Sequence, residues 1–344
     1  MSLDIKTFSK IVGVSTATVS RAFSGNGRIN KQTQTRILAE ARRLEFSPNI
    51  HARRLNSKKT GLIGLYYTFS EEAIFDYYNM ELAQEIAKAA ERSGYSVHLE
   101  LGRPGQDSDD QRLHDLTGGL GLDGVIVVWD GLSSGTRLVK SIQRCPVAVI
   151  SGKTWQAVGS EIAIELDVTS GIREAVAALA KLGHERIAFI NAVGRRTKSS
   201  AYKFALEENG LSYDASLEVT ADKYFTDGQQ AFEALIRYKP TAVLCATDVL
   251  ALGALNRASV LKCRVPEDVS IVGMDDLGFT AFTTPSLATV GIPRDQIAAT
   301  AVGRLLARID AGDKPSGAAL SRYKISSYFL NRGSVSRAPL TTKQ

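Results

Sequence analysis

The chain has 344 residues, with 42 basic and 36 acidic side chains that give a formal net charge of +6. This length is too great for one hydrophobic core and predicts several domains. The apolar runs are only strand-length, so they argue against a membrane-spanning helix, and we expect no secretory signal at the N-terminus. The three cysteines, an odd number in mostly apolar surroundings, are expected to stay reduced, as in the cytosol.

The charge is distributed unevenly. Residues 1–60 contain five lysines and seven arginines but only three acidic side chains, a formal charge of +9. The other 284 residues contain 30 basic and 33 acidic side chains, a formal charge of −3. A basic head on an acidic body favours binding to a polyanion, because each neutralised phosphate releases condensed counterions.

The head is predicted to form three short helices. Asp4 can cap the first helix and Asn30 the third, since their side chains accept hydrogen bonds from first-turn amides. Between them, Gly13 permits a tight turn and Ser15 can cap the second helix. Apolar residues at helical spacing are expected to form one small core: Ile5, Phe8, Ile11, Val12, Val19, Ile37, Leu38, Ala41 and Leu44.

The second helix of the head has a surface typical of one that contacts DNA. With Val19 facing the core, the residues that project outward are Thr16, Ala17, Thr18 and Arg21. Short side chains let a helix enter the major groove closely, and the guanidinium of Arg21 can pair with the acceptor edge of guanine. An ordinary solvated surface helix is the alternative interpretation of this motif taken alone.

Residues 47–60 predict a linker that DNA orders. Pro48 and Asn49 can open a helix, but about eight to ten residues with little apolar surface are too few to hold one in water. On the duplex, Leu55 can act as an apolar wedge in the minor groove, with Ala52 on the same helical face. The basic residues expected to meet phosphates are Arg53, Arg54, Lys58 and Lys59. A plain flexible linker would explain the charge but not the Pro-Asn opening.

The body predicts an α/β fold in which strands alternate with helices. Continuous apolar runs are typical of strands covered on both faces. They are residues 61–67, 97–101, 124–129, 147–150, 187–190, 242–245 and 269–272. Helical spacing is clearest around Leu82, Ile172 and Ile297. This alternation implies parallel sheets with helices on either side, arranged as two lobes that hold a ligand between them at the strand carboxyl ends.

Two carboxylates follow predicted strands at that edge. Asp275 and Asp248 could both face one cavity and accept bidentate hydrogen bonds from vicinal sugar hydroxyls. The aromatic rings of Tyr77, Tyr78 and Trp129 could stack on the apolar face of a sugar. For Asp248 we favour a role as the N-cap of the following helix, whereas for Asp275 we favour contact with a ligand.

From Asp4 to about Arg332 the sequence resembles the lactose-repressor (LacI/GalR) family of bacterial transcription regulators. Five blocks in the family's order carry the resemblance. They are Gly13-Val-Ser-x-x-Thr-Val-Ser-Arg21, Pro48-Asn-x-x-Ala-Arg-x-Leu55, Leu182-Gly-His-Glu-Arg-Ile187, Thr247-Asp-x-x-Ala-x-Gly253 and Val265-Pro-Glu-Asp-Val-Ser-Ile-Val-Gly-Met-Asp-Asp276.

The resemblance implies roles for particular residues. Thr16, Ala17 and Arg21 would read bases, Ala52 and Leu55 would belong to a hinge helix, and Leu55 would intercalate. Asp275 would be a principal effector contact. Thr247 stands where the family usually has asparagine, and the family's aromatic pair after the first strand aligns with Tyr78 and Asn79.

The resemblance also implies a domain plan. It comprises a helix-turn-helix domain at 1–46, a hinge helix or linker at 47–60, an effector-binding and dimerisation domain of the periplasmic-binding-protein type at 61–333, and a polar tail at 334–344. The first lobe would hold about 61–159 and 292–322, and the second about 160–291 and 323–333. The chain would therefore cross between the lobes near residues 160, 291 and 323.

Departures from the family pattern leave the effector open. Lys198 stands where the family usually has arginine, and a lysine keeps the charge but loses the two-pronged geometry. Arg195 and Arg196 lie close by and would suit an anionic sugar, although solvated loop charge is as good an explanation. Residues Ser151-Gly-Lys153 also differ from the Asp-Arg of many relatives.

Enzymatic function is disfavoured. The four histidines are scattered without metal-ligand spacing, and neither a Gly-x-Ser-x-Gly motif nor a phosphate-cradling loop is present. We therefore expect no metal and no cofactor. His184 is interpreted as ending a helix, with a partly cationic ring facing the helix dipole. The tail 334–344 is polar, lacks leucine heptads and is expected to fray, which favours a dimer over a tetramer.

These observations predict a cytoplasmic, homodimeric transcription regulator, favoured as a repressor, that binds a near-palindromic DNA operator. A small-molecule effector between the lobes, most simply a sugar or sugar derivative, would change the ability of the hinges to order on DNA. A regulator responsive to purines or another metabolite is an alternative. A solute-binding or enzymatic α/β protein with an accidental basic head is a distant one.

Overall fold

The computed structural model describes residues 3–24, 29–46, 59–68, 77–102, 117, 121–129, 139, 142, 144–152, 159, 161–194, 196–312 and 320–339. The chain forms two compact units, Met1–Leu62 and Ile63–Gln344. The predictions for Asn49, Ala52, Arg53 and Leu55 lie outside the described residues.

The first unit contains the three predicted helices, α1 (Ile5–Val12), α2 (Thr16–Ser24) and α3 (Lys31–Arg43). The predicted caps are confirmed. The carboxylate of Asp4 accepts from the Thr7 amide at 2.7 Å, and the side chain of Asn30 accepts from the Gln32 amide at 2.9 Å. Gly13 ends α1 with a left-handed φ of 68°, the conformation that a glycine adopts without steric cost.

The core of the first unit lies where the three helices meet. Its buried residues are Phe8, Val12, Val19, Ala22, Ile37, Ala41 and Phe46. Phe46, which follows α3, stacks on Phe8 with ring centroids 4.0 Å apart. The prediction that Ile11 belongs to this core is wrong, because its side chain lies on the outer side of α1 and is 49% exposed. Helical spacing cannot distinguish the edge of an apolar face from its centre.

The second unit has two six-stranded sheets. Its first lobe contains β1 (Leu62–Tyr67), α4 (Tyr77–Arg92), β2 (Ser96–Leu101), β3 (Gly124–Trp129), β4 (Val147–Ser151), β5 (Ile162–Asp167), α9 (Arg294–Ala311) and β11 (Ser321–Ser326). Its second lobe contains α5 (Val168–Lys181), β6 (Ile187–Ala192), α6 (Arg196–Glu208), β7 (Glu218–Ala221), α7 (Phe225–Ile236), β8 (Ala242–Cys245), α8 (Asp248–Val260), β9 (Ser270–Asp275), β10 (Ala288–Gly291) and β12 (Tyr328–Leu330).

The strand orders are β11-β5-β4-β3-β1-β2 and β12-β10-β9-β8-β6-β7. The parallel pairings are β11-β5, β5-β4, β4-β3 and β3-β1 in the first sheet and β10-β9, β9-β8, β8-β6 and β6-β7 in the second, whereas β12 runs antiparallel to β10. All seven apolar runs predicted as strands form strands, and each lobe has a separate apolar core. The predicted two-lobed α/β architecture is confirmed. Among the described residues, no helix is both long and apolar enough to cross a membrane.

The chain crosses between the lobes three times, but two crossings come later than expected near 160 and 323. Strands β5 and β11 pair with each other in the first sheet, so the chain crosses after Asp167 and at Ser327. Because β5 and β11 pair along their whole length, both strands belong to the first lobe, and the chain leaves that lobe only after each strand ends. The Ser327 hydroxyl joins the two crossings, because it donates to the Asp167 carbonyl at 2.8 Å and accepts from the Gly171 amide at 2.9 Å.

The expectation that the tail from Ser334 frays is wrong for its described part, which packs on the second lobe. The buried Ser334 hydroxyl donates to the Ile271 carbonyl at 2.6 Å and accepts from the Ala288 amide at 2.8 Å. The Ala338 amide donates to the Leu182 carbonyl at 2.9 Å. Serine and alanine look like tail composition, yet Ser334 satisfies backbone groups near the amino ends of β9 and β10, and Ala338 satisfies the carbonyl at the end of α5.

Candidate DNA-binding and effector sites

Helix α2 presents the predicted reading surface on one side and its core contacts on the other. Val19 and Ala22 are buried, whereas Thr16, Ala17 and Arg21 are exposed. The Ser15 hydroxyl accepts from the Thr18 amide at 3.1 Å, which caps the helix as predicted. Short side chains and one arginine therefore lie together on the outer face of the helix, whose opposite face packs in the core.

Thr18 differs from its three neighbours. It is half-buried, and its hydroxyl lies 2.9 Å from the hydroxyl of Ser15. This contact makes Thr18 part of the cap of α2. A base or phosphate contact by the Thr18 hydroxyl would compete with that cap.

Gln34, whose role no local sequence pattern indicates, connects α3 to the end of α2. Its side-chain amide donates to the carbonyl of Ala22 at 3.0 Å. The last carbonyls of a helix lack partners within that helix, so this bond satisfies one of them. It also sets the position of α2 relative to α3, and therefore that of the exposed face.

Three of the four predicted effector residues lie at one edge of the second sheet. Asp275 ends β9, and Thr247 follows the neighbouring strand β8. Lys198 on α6 reaches the same edge, since its buried ammonium donates to the Ala246 carbonyl at 2.6 Å. The structure thus brings a carboxylate, a hydroxyl and an ammonium group to the carboxyl ends of adjacent parallel strands, the usual ligand position in such sheets.

Thr247 also has a local structural role. Its hydroxyl accepts from the Leu250 amide at 3.2 Å and so caps α8. The interpretation of Asp248 as this cap is wrong, because Asp248 is the first residue inside the helix and points into the core. Asp248 accepts from the Thr289 hydroxyl at 2.6 Å and from the Leu277 amide at 2.8 Å. It is fully buried, so it holds the segment after β9 from the core side and does not face a ligand.

The backbone at the end of β9 adopts an unusual conformation. Asp275 has a φ of 117° and Asp276 a φ of 55°, values that residues with a Cβ rarely adopt. Each such residue costs about 1–3 kcal/mol and persists only where its surroundings hold it. The Asp276 carboxylate pairs with Arg332 at 2.6 Å on the side of the second lobe. The Asp275 side chain is only 9% exposed.

Two side chains of the first lobe reach this strained segment. Arg294, at the start of α9, donates to the carbonyls of both Asp275 and Asp276. It also forms an ion pair with Glu81 of α4 at 2.8 Å. The other oxygen of Glu81 accepts from the Gly278 amide at 2.9 Å. We refer to these bonds together as the Glu81–Arg294 bridge; neither residue was identified from the sequence.

Tyr78, the fourth predicted effector residue, lies on α4 beside this bridge. The guanidinium of Arg294 is 5.7 Å from the centroid of its ring, a distance at which the two attract each other. Its neighbour Tyr77 packs edge-on against Phe279 of the second lobe, with centroids 5.4 Å apart. Tyr77 is therefore engaged in a contact between the lobes.

His184 follows the end of α5 as predicted, with its amide donating to the Leu179 carbonyl at 3.1 Å, but the prediction of a partly cationic ring is wrong. Its ring is 1% exposed and lies 3.0 Å from the Ser336 carbonyl through Nε2. Burial lowers the pKa of His184 below its ordinary value, so the ring is neutral at neutral pH. It holds the C-terminal segment on the second lobe. No group of three or more candidate metal ligands occurs in the described part of the chain.

Each of the two units matches a known protein family model. Residues 5–49 match the family model described as bacterial regulatory proteins, lacI family, and residues 176–326 match a periplasmic binding protein-like domain. The chain is 31% identical to catabolite control protein A of Priestia megaterium over 317 residues, which cover 90% of this chain and 92% of the relative. This chain belongs to the lacI family.

Solved structures of similar proteins share the fold. The lac repressor dimer bound to operator and the anti-inducer ONPF has a TM-score of 0.74 at 23% identity, covering 98% of this chain and 100% of that one. The transcriptional regulator CelR in complex with cellobiose has a TM-score of 0.68 at 22% identity, covering 96% and 99%. As a lacI-family member, the protein is a DNA-binding transcription regulator and not an enzyme.

Proposed function

We propose that the protein is a cytoplasmic, homodimeric repressor whose operator affinity is controlled by a sugar or sugar derivative bound between the two lobes. Residues 1–46 read the operator, residues 47–60 order on it, and the second unit holds the effector. The observation that carries the effector site is the convergence of Lys198, Thr247 and Asp275 at one sheet edge, with Tyr78 on the other lobe.

The chemistry of this edge supports a polyhydroxylated ligand. A carboxylate can accept from two neighbouring hydroxyls, and a threonine hydroxyl can both donate and accept. Lys198 adds a positive charge, which suits an acidic or phosphorylated sugar. The similar CelR structure contains cellobiose, a neutral sugar, so both neutral and anionic sugars belong in the test.

The operator is tested first. Selection from random DNA by the full-length protein should yield a near-palindromic site, because one helix-turn-helix contacts only a few base pairs and a dimer presents two. Binding should weaken steeply with salt, as expected for contacts to phosphate. Recovery of unrelated sequences, together with a monomeric mass in solution, would contradict the proposal.

Leu55→Ala then tests the proposed linker role. The variant should bend the selected operator less and bind it more weakly, while its sugar affinity stays that of the wild type. A wild-type complex with unbent DNA would contradict the wedge role.

The effector is tested by isothermal titration with cellobiose, ribose, glucose 6-phosphate and galacturonate, with adenine as the purine arm. A sugar that binds should change operator affinity, and Asp275→Ala should abolish both effects. Binding of adenine alone would replace the sugar by a purine. A sugar that binds equally well to Asp275→Ala would remove Asp275 from the site.

A further inference from the structure

We propose that Glu81 and Arg294 are positioning residues that hold Asp275 from the opposite lobe, so that the affinity of its site depends on the approach of the two lobes. The proposal rests on the proposed function, because it takes Asp275 as an effector contact. It adds Glu81 and Arg294 to the residues that control the effector site, and it explains how effector affinity would depend on the arrangement of the lobes.

Both side chains of the Glu81–Arg294 bridge come from helices of the first lobe. Helix α9 begins at Arg294, directly after the second crossing, and its apolar face is part of the first core through Ile297, Ala301 and Leu305. Helix α4, which carries Glu81, packs in the same core through Leu82 and Ile86. Both side chains are therefore fixed by the first lobe.

The groups to which Glu81 and Arg294 form hydrogen bonds all belong to the second lobe. They are the carbonyls of Asp275 and Asp276 and the amide of Gly278. All three are backbone groups, and they lie within one segment of four residues. The bridge therefore acts on the course of the backbone at the end of β9.

This segment needs such support because two consecutive residues have positive φ. Two anchors come from the second lobe itself: Arg332 on the Asp276 carboxylate, and Asp248 on the Leu277 amide. The other two, Glu81 and Arg294, come from the first lobe. Separation of the lobes would remove only the second pair, so the direction of the Asp275 side chain would change with lobe separation.

The charges within the bridge are balanced. The side chain of Arg294 is 12% exposed and that of Glu81 is 29% exposed, so each is shielded from water in part. Removing Glu81 would leave a partly buried guanidinium without its carboxylate, which is more costly than loss of an exposed ion pair. The bridge is therefore expected to break as a unit when either member is replaced.

Hydrogen exchange measured by mass spectrometry on the full-length protein without ligand tests the proposal. Glu81→Ala and Arg294→Gln should each accelerate exchange in peptides covering residues 275–279 roughly tenfold, the effect of losing a hydrogen bond to a charged group. Arg294→Lys should have an intermediate effect, because an ammonium keeps the ion pair but cannot span two carbonyls.

The matched control is Glu85→Ala. Glu85 lies one turn further along α4 and pairs with Lys88 at 2.8 Å, so its loss removes an ion pair within the first lobe only. It should leave residues 275–279 unchanged. Equal exchange in this segment for wild type, Glu81→Ala and Glu85→Ala would overturn the proposal. If Arg294→Gln fails to fold, Glu81→Ala decides alone.

Titration with cellobiose and ribose supplies the second readout. The sugar that binds the wild type should bind Glu81→Ala at least roughly fivefold more weakly and Glu85→Ala equally well. Faster exchange with unchanged sugar affinity would overturn the positioning role. If neither sugar nor any other member of the titration panel binds the wild type, the proposed effector class fails, while the exchange result still decides whether the bridge holds the segment.

Discussion

The carboxylate of Asp248 and the hydroxyl of Thr289 lie 2.6 Å apart inside the second lobe, where neither side chain is exposed to solvent. Through its other oxygen, Asp248 binds the amide of Leu277. One side chain thus joins the start of α8, strand β10 and the segment after β9. Burial, opposed in part by these two hydrogen bonds, raises the pKa of Asp248 to about 6.

This raised pKa predicts that Asp248 makes the protein less stable as the pH rises from about 4 to about 6. In that range the unfolded aspartate, with a pKa near 3.8, has lost its proton and the folded one has kept it. The unfolded state therefore binds fewer protons, and the free energy of unfolding falls with rising pH. Above pH 6 the loss in the free energy of unfolding stays constant, at up to about 3 kcal/mol.

Asp248→Asn should remove this dependence, because an amide can accept from Leu277, donate to Thr289 and carry no charge. Chemical denaturation between pH 4 and pH 8 measures the difference in unfolding free energy from the wild type. The difference should move in favour of the variant up to pH 6 and then stay constant. Parallel curves over the whole range would show that Asp248 does not titrate there.

Two glycines allow α7 and α8 to approach closely. A Cβ at Gly228 would lie 2.2 Å from the Leu250 carbonyl oxygen, and one at Gly253 would lie 2.1 Å from that of Phe225. Since backbone cannot move aside as a side chain can, Gly228→Ala and Gly253→Ala should each destabilise the second unit by about 1–3 kcal/mol or more. Thermal unfolding of the full-length protein measures the effect.

Gly303→Ala is the control for these two variants. Gly303 is also inside a helix, α9, but an added Cβ would meet nothing within 4 Å. This variant should be more stable than the wild type by about 0.5–1 kcal/mol, because glycine is a poor helix former. Equal losses at Gly303 and Gly253 would contradict the close approach of α7 and α8.

Arg21→Ala should relax the preference of the protein at one operator position, at a cost of roughly 1–3 kcal/mol, because an arginine on the exposed face of α2 can read a guanine. Competition binding with single-base variants of the selected operator measures this. Arg43→Ala is the control, since Arg43 is on α3 and pairs with Glu40. Any effect of Arg43→Ala should be uniform over sequences, and a uniform effect of Arg21→Ala would contradict base reading.

Phe8→Ala should unfold the first unit or destabilise it by about 3–5 kcal/mol, because the ring is fully buried and stacks on Phe46. Operator binding should be lost while sugar binding is kept. Ile11→Ala, three residues along the same helix, should cost less than about 0.5 kcal/mol, since Ile11 is largely exposed. Similar losses of operator affinity in both variants would contradict the observed core.

Local features of this chain were predictable from the sequence. The caps at Asp4 and Asn30 depend on amides two or three residues away, so neighbouring residues suffice to predict them. The seven predicted strands are continuous apolar runs, a pattern that depends only on which faces are covered. The exposed face of α2 follows from Val19, whose burial decides which residues point outward.

What the tertiary structure decided depends on residues far apart in the chain. Asp248 meets Thr289 across 41 positions, and Glu81 meets the Gly278 amide across 197. The position of Asp248 between a predicted strand and a predicted helix suggested an N-cap, and polar composition suggested a frayed end at Ser334. A polar side chain next to a strand or at a chain end has the same local pattern whether it faces water or a buried amide. Only the packing of distant segments removes the water, and that removal determines the partner and the pKa of each such group.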